Sequence, residues 1–427
     1  MIETVVWMIL LMVALMLINV PIAIGLGVVS VVAMLTMQGA DALTNLPIVM
    51  YRGASNFPLL AVPLFIVAGA IMNATGISKR LIAFTSSVLG WMRGGLAMVT
   101  TAVSMFFAEI SGSAVADVAA LGTILIPAMK RKGYPGTFAT AVTSSAATLA
   151  VIIPPSIPMV LYAVMANTSV VKCFVGGFTP GVLGGLLMML LSYVFARKYN
   201  YPREENFRLQ RVWETAKDAS WAFLLPLIIL GGIFTGIVTA TEGAGLAVVA
   251  AIGVGLIYRE FDLKLMRQAL MEGGIQTAVV MVLVATSAVL SMVLTELQLP
   301  QKLAQSMIHW TNNSYLVLLV LNVFFLILGC FLHSAAAIIL TVPIVMPLVT
   351  ALGIDPVHFG IVLTINLGIG QQTPPVASVL ITACAISKED VWEVTKVNVW
   401  YIGVMVLVLV LVTYFPMLSL WPLRVFY

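Results

Sequence analysis

The chain has 427 residues, of which 61% are hydrophobic and only 9% charged. An ordinary soluble domain carries about 25% charged residues, so the composition excludes that class and points to a protein whose solvent is largely lipid. A formal charge of +4 says little by itself, because in a membrane the placement of charge matters more than its sum, and no nucleic-acid partner is expected.

Apolar stretches near the roughly 20 residues that span a bilayer recur from end to end, which predicts an all-α polytopic membrane protein. The N-terminal Met1-Ile2-Glu3 lacks a basic region, and no clear small-residue cleavage site precedes the next apolar run. The first segment therefore reads as a retained span rather than a signal peptide. The first half, 1–198, opens with a long apolar run interrupted at Asn19-Val20-Pro21, followed by a long helix near 58–90. Two short apolar arms over 95–129 then flank a polar tip, Glu109-Ile-Ser-Gly-Ser113. A helix over 136–167 is broken by Pro154-Pro155, and a closing helix covers 174–197. The linker 199–220 carries Arg203, Glu204, Glu205, Arg208, Arg211, Glu214, Lys217 and Asp218. With Trp213 and Trp221 it predicts a helix lying along the headgroups. Residues 221–427 repeat the plan: an interruption at Thr239 to Gly243, a long helix near 270–297, and arms over 314–349 around Gly329 to Ser334. A helix over 357–386 broken by Pro374-Pro375 and a closing helix over 397–420 complete it. Cys173, Cys330 and Cys384 lie far apart in apolar sequence and read as small buried hydrophobes, neither a disulfide framework nor a metal site.

The arms 95–109 and 114–129 are each roughly 23 Å long at helical rise, short of a hydrocarbon core about 30 Å thick. A re-entrant hairpin entering and leaving on one side fits them; two tilted, kinked spans are the alternative. If Arg93 and Lys130-Arg131-Lys132 flank this hairpin on the cytoplasmic side, every Lys and Arg except Arg52, Lys172, Lys302 and Arg424 falls in the cytoplasm. The second hairpin then opens to the other side, where the loop Ala351 to Gly360 has no Lys or Arg. The halves are thus expected to be inverted repeats, with both termini on the outer face.

What recurs between the halves is the punctuation. The two Pro-Pro pairs are 220 residues apart, and the same offset relates Pro127 to Pro347, Gly133 to Gly353 and Gly25 to Gly245. Proline removes a backbone donor and clashes with the preceding turn, and broken backbone survives in a bilayer only where protein encloses it. Matching interruptions in two halves are the sequence mark of a secondary transporter's midplane site, although such prolines can also merely kink packing helices. At each break the preceding half-helix presents carbonyls to a cation and the following one presents amides to an anion. The carbonyl ends are Leu149 to Ile153, including Ile152, and Gly368 to Thr373, including Gly370; Ser156 marks the first amide end.

At the first tip, Ser111 and Ser113 can offer oxygens to a hard cation. Asp117, one turn on, can neutralise that charge or simply cap the tip. Ionisable groups at membrane depth default to functional hypotheses, so Glu109 and Glu242 are possible coupling carboxylates, with an ordinary interfacial role open for Glu242. His333 at the second tip can bond substrate or be satisfied by neighbouring backbone. Thr143, Ser144, Ser145, Thr148 and Asn366 can line a site or hold helices together. No phosphate loop, HExxH or GxSxG occurs, so the expected protein is not an enzyme or ATPase but a carrier driven by an ion gradient or a partner chain.

The set Ile110-Ser-Gly-Ser-Ala-Val-Ala-Asp117, Ile126-Pro-Ala-Met129, Ile152-Ile-Pro-Pro-Ser-Ile157 and Thr373-Pro-Pro-Val376 resembles the large membrane subunit of tripartite ATP-independent periplasmic (TRAP) transporters, within the ion-transporter superfamily, over essentially the whole chain. The resemblance implies a scaffold and a moving transport domain working as an elevator in the bacterial inner membrane, where the outer face of the charge count is the periplasm. It implies sodium as coupling ion, a separate small four-helix membrane subunit, and a periplasmic binding protein that delivers a carboxylate. Sodium would sit between Ser111, Ser113, Asp117 and the break at Ile152, and a second ion between Gly329, Ser334 and Gly370 to Thr373. Substrate would meet Ser144, Ser145, Ser156, His333 and Asn366. Many relatives carry an acid where this chain has His333, which puts an acidic role at that tip in doubt. Among family substrates, sialic acid is the first expectation and a C4-dicarboxylate the next. Two readings compete with the three-part symporter: a self-sufficient sodium–carboxylate carrier of the same core, and an intramembrane enzyme using Glu109, Asp117 and His333.

Overall fold

The computed structural model describes the chain except Met1, Asn19, Glu204, Glu205, Phe261 and Asp262, and leaves undescribed the side chains of Ile2, Val5, Ile110, Leu265 and Ala269. Asn19 of the first interruption and the linker carboxylates Glu204 and Glu205 therefore lie outside the described residues. All regular structure among the described residues is helical.

The first half runs α1 Ile2–Leu17, α2 Ile22–Gln38, α3 Leu46–Ala54, α4 Ala61–Ala74, α5 Ile77–Leu89, α6 Gly95–Ser111, α7 Ala114–Arg131, α8 Gly136–Ala147, α9 Ile157–Met165 and α10 Val170–Lys198. Next come α11 Leu209–Asp218, α12 Ser220–Phe234, α13 Ala240–Ile257, α14 Leu263–Glu296, α15 Leu299–Trp310, α16 Ser314–Phe331 and α17 Ser334–Ala351. The chain ends with α18 Pro356–Gly370, α19 Ser378–Ser387, α20 Val391–Tyr414 and α21 Met417–Phe426. Among the described residues seven helices, α4 being taken with the 3-10 turn before it as Phe57–Ala74, are long and apolar enough to cross a membrane, and α11 with α12, bent by 63° at Ala219, makes an eighth candidate. No residue of α11 is buried, and its polar turns pack on α5.

Hairpin, broken helix and closing helix follow in the same order in both halves: α6–α7, α8–α9, α10, and α16–α17, α18–α19, α20. The first broken helix stops at Ala147, continues as a 3-10 turn over Thr148–Val151, and resumes at Ile157. Both Pro-Pro bonds are cis. Every residue of α8 from Phe138 to Ala147 and of α18 from Val357 to Gly370 is buried. Helices enclosed on all sides need no amphipathic stripe, and these two form the centre of the molecule. The halves are interlocked: α7 packs on α19 of the other half, and α17 on α9. A second group, α2, α3, α4, α12, α13 and α14, packs mostly on itself, and α14 turns Ile275, Val279 and Val282 outward.

Several boundaries differ from the sequence reading. The helix expected near 58–90 is two helices, because Gly76 takes a left-handed conformation (φ +68) between α4 and α5. The opening of the second half breaks before Thr239, not across Thr239 to Gly243; Thr239 caps α13 and the next four residues are helical. The last closing helix starts at Val391 because the Asp390 carboxylate accepts from the amides of Trp392 and Glu393 at 2.9 and 3.1 Å, and it ends ahead of Pro416. The hairpin arms are also longer than expected. Glu109 to Ser111 continue α6, so the first tip shrinks to Gly112 and Ser113 and the second to Leu332 and His333. Both arms of the second hairpin have 18 residues and are long enough to cross a membrane.

Candidate functional site

The first tip is built by a glycine. Gly112 ends α6 in the left-handed region (φ +58), the usual C-terminal use of glycine, and extended Ser113 starts α7. This turn places Asp117 in the first turn of α7, where the helix dipole favours a negative charge. The Ser111 hydroxyl donates to Asp117 Oδ1 and accepts the Ser113 amide at 3.2 Å. Asp117 is fully buried, and its second oxygen, Oδ2, has no hydrogen-bond partner among the described residues.

The tip is docked on the first break. The Ile157 amide donates to the Gly112 carbonyl at 3.3 Å, and a Cβ added to Gly112 would come within 2.8 Å of the Pro155 carbonyl oxygen. The second tip repeats this contact: the Val376 amide donates to the Cys330 carbonyl at 3.2 Å. There Gly329 and Gly370 touch backbone to backbone, since a Cβ on Gly370 would lie 2.8 Å from the Gly329 carbonyl oxygen. Each hairpin tip thus meets the proline break of its own half.

Between the breaks runs a buried polar network. Ser145 Oγ lies 2.7 Å from Gln372 Oε1 and 2.6 Å from Asn398 Oδ1. Gln372 donates to Thr148 Oγ1 at 2.7 Å, and Asn398 to the Gln372 carbonyl at 3.4 Å. The network joins α8 to the second break and to α20. A second line crosses from Asn366, which donates to Asn322 Oδ1 at 2.8 Å, to Thr413, which accepts from Asn322 at 3.0 Å. Buried polar groups are normally all paired. Yet the Ser144 hydroxyl, Asn366 Oδ1, Gln371 Nε2 and Ser378 Oγ have no partner among the described residues. With Asp117 Oδ2 they leave donors and acceptors of both kinds free at the centre of the fold.

The remaining candidates take different positions. Ile152 is buried in the break, its amide donating to Leu149 O at 2.9 Å. Ser156 Oγ donates to the Val151 carbonyl at 2.6 Å and caps α9 through the Met159 amide. The Thr373 hydroxyl donates to Ile369 O at 2.9 Å, and Ser334 is buried at the start of α17. Glu109 is half-buried in the last turn of α6. His333 is exposed and caps α17, its Nδ1 accepting the Ala335 amide at 3.4 Å. Glu242 is not brought to the tips. It is exposed on α13, which packs on α4 and α12, and forms a capping box with Thr239: the Thr239 amide and hydroxyl each donate to it at 2.8 Å. Asn322, Asn398 and Thr413 were missed by the sequence reading, since a single polar residue in an apolar helix gives no periodic signal.

Among the described residues no three His, Cys, Asp or Glu side chains cluster as a metal site. The first tip and its break bring hydroxyl, carbonyl and carboxylate oxygens together, the ligand type that hard cations take.

Residues 9–418 match the family model described as "Tripartite ATP-independent periplasmic transporter, DctM component". The chain is 37% identical over 432 residues to the C4-dicarboxylate TRAP transporter large permease protein DctM of Vibrio cholerae, covering 96% of this chain and 95% of that protein. It is 38% identical to the isethionate TRAP transporter permease protein DctMQ of Oleidesulfovibrio alaskensis; that match covers 93% of this chain but only 63% of the relative's length. The crystal structure of the Alcanivorax borkumensis YdaH transporter, described as having an unusual topology, is similar in fold with a TM-score of 0.64 at 14% identity, covering 91% of each chain.

Proposed function

The chain belongs to the DctM component family of tripartite ATP-independent periplasmic transporters, and from that premise we propose that it is the transport subunit of a sodium-coupled organic-acid symporter. It is a multi-pass membrane permease rather than an enzyme, and its family places it in the inner membrane beside a small membrane subunit and a periplasmic binding protein. The observation that carries the sodium proposal is Asp117, a fully buried carboxylate at a hairpin tip with one oxygen unpartnered. A buried ionised carboxylate needs a compensating charge, and among the described residues no basic side chain is paired with it.

In this reading sodium binds at Ser111, Ser113, Asp117 and the carbonyls near Ile152, and a second ion binds between Gly329, Ser334, Gly370 and Thr373. Ion binding holds each tip on its break. The substrate carboxylate is recognised near Ser144, Ser145 and Asn366, where the unpartnered Ser144 hydroxyl supplies a free donor. The buried block of hairpins and broken helices moves as a unit against the group formed by α2 to α4 and α12 to α14, as an elevator. The relatives' printed names favour small organic anions, so a C4-dicarboxylate now ranks ahead of sialic acid.

Uptake into proteoliposomes holding this chain and its small subunit tests the proposal, with labelled C4-dicarboxylate, sialic acid or isethionate. The sodium gradient and the binding protein are each present or absent. Uptake that needs both supports the three-part symporter and identifies the substrate. Sodium-driven uptake without the binding protein favours the self-sufficient carrier, and uptake indifferent to sodium overturns the coupling.

A further inference from the structure

Apart from the hairpins and breaks, two stretches remote in sequence, 91–93 and 193–203, converge on a small basic cavity. Arg93, from the loop between α5 and α6, Arg197, from the last turn of α10, and Arg203, from the loop that follows it, line a cavity of about 260 Å³ with Trp91, Met92 and Tyr193. Among the described residues none of the three arginines is ion-paired with a carboxylate. Like charges gathered in one cavity repel, so the arrangement is at its most favourable with an anion between them.

The cavity is held in shape by backbone contacts. The Gly94 amide and the Tyr134 hydroxyl both donate to the Pro202 carbonyl at 3.2 Å. These bonds fix the backbone of Arg203 against the loop that carries Arg93. Gly94 is left-handed (φ +70) and packs on Ala196, leaving no room for a side chain. The Trp91 indole donates to Val88 O at 2.9 Å and meets the Phe207 ring edge-on at 6.0 Å. Arg197 lies 5.8 Å over the Tyr193 ring.

Its depth is equally informative. The cavity sits at the end of α10, a helix long enough to span the bilayer. It includes a tryptophan and a tyrosine, the residues that mark the headgroup level. Guanidinium forks match phosphate oxygens in pairs, and basic pockets between helix ends at the cytoplasmic face hold lipid headgroups.

We propose that Arg93, Arg197 and Arg203 form a phosphate-binding site for the headgroup of an anionic phospholipid. Such a lipid would tie the α5–α6 loop to the end of α10. The transport site described above plays no part in it.

Purified protein in mild detergent, titrated with phosphatidylglycerol, phosphatidylcholine or inorganic phosphate and read by native mass spectrometry, tests this. The expected result is a retained phosphatidylglycerol adduct that Arg93→Gln, Arg197→Gln and Arg203→Gln each weaken about fivefold and the triple variant weakens roughly a hundredfold. Arg208→Gln, outside the cavity, should leave the adduct unchanged. Competition by inorganic phosphate at equal concentration would identify a soluble phosphate as the occupant of the same site. An adduct unchanged in the triple variant, equal retention of phosphatidylcholine, or equal loss in Arg208→Gln would overturn the proposal.

Discussion

The amide of Ile157 donates to the carbonyl of Gly112 at 3.3 Å, so the first hairpin tip is bonded to the backbone just beyond Pro154-Pro155. The contact exists because glycine serves two needs at once: a left-handed turn and an approach too close for a Cβ. Gly133 separates the two, since it is also left-handed (φ +89) but has open space around it. Gly133→Ala should cost only the conformational penalty, about 1 kcal/mol. Gly112→Ala adds a clash with the Pro155 carbonyl and should abolish sodium-driven uptake at wild-type expression. Equal uptake by the two variants would show that the docking of tip on break is not needed for transport.

Asp117 gives the second test. Asp117→Ala and Ser113→Ala should raise the sodium concentration for half-maximal uptake, Asp117→Ala by at least about tenfold, as expected for a lost charge-assisted ligand. Asp117→Asn keeps a partner for Ser111 while removing the charge. If Asp117 only caps the tip, asparagine should rescue sodium dependence; if it neutralises an ion, asparagine should behave like alanine. Circular dichroism and monodispersity in detergent would confirm that each variant is folded.

Proline and glycine punctuation made the architecture readable, because both residues act on their own backbone whatever surrounds them. Pro154-Pro155, Pro374-Pro375 and the Gly112 tip are of this kind. Side chains whose meaning depends on distant partners were not readable. Asn398 lies 253 residues from Ser145, and nothing local distinguishes it from helix glue. Glu242 is a different case. Thr239-Ala-Thr-Glu242 spells a capping box, a local signal that outweighs the rarity of acids in apolar sequence. His333 was likewise read as a choice between substrate and backbone, and its ring caps α17. Gly76 was passed over because one glycine is compatible with a continuous helix, although the polar residues around it, Asn73, Thr75, Ser78, Lys79 and Arg80, mark a break.

The network around Ser145 is expected to fail unevenly. Removing its hydroxyl takes away the single hydrogen that lies between two buried amide oxygens, Gln372 Oε1 and Asn398 Oδ1, so Ser145→Ala should cost about 1–3 kcal/mol. Asn398→Ala takes one of those amides away, so the double variant should cost less than the sum of the singles. A thermal-unfolding double-mutant cycle with additive shifts would show that the two residues are not coupled.

Arg80 joins the linker to the body. Its guanidinium lies 2.8 Å from Glu260 and 3.3 Å from Asp218, donates to Gly76 O at 3.3 Å, and stacks 3.8 Å over the Tyr258 ring. Tyr258 in turn donates to the Asp218 carbonyl at 2.8 Å. One planar cation therefore holds the turn between α4 and α5, the end of α11 and the loop after α13. Both carboxylates are well exposed, so the ion pairs alone contribute little; stacking and the forked geometry contribute the rest. Lysine keeps the charge and has three donors, but it cannot stack flat or hold its donors in a fixed planar fork. Arg80→Lys should therefore lose most of what Arg80→Ala loses, about 1–2 kcal/mol, and high salt should change the difference little. If lysine restores the melting temperature, charge alone holds the linker, and the loss in Arg80→Ala should then shrink as salt rises.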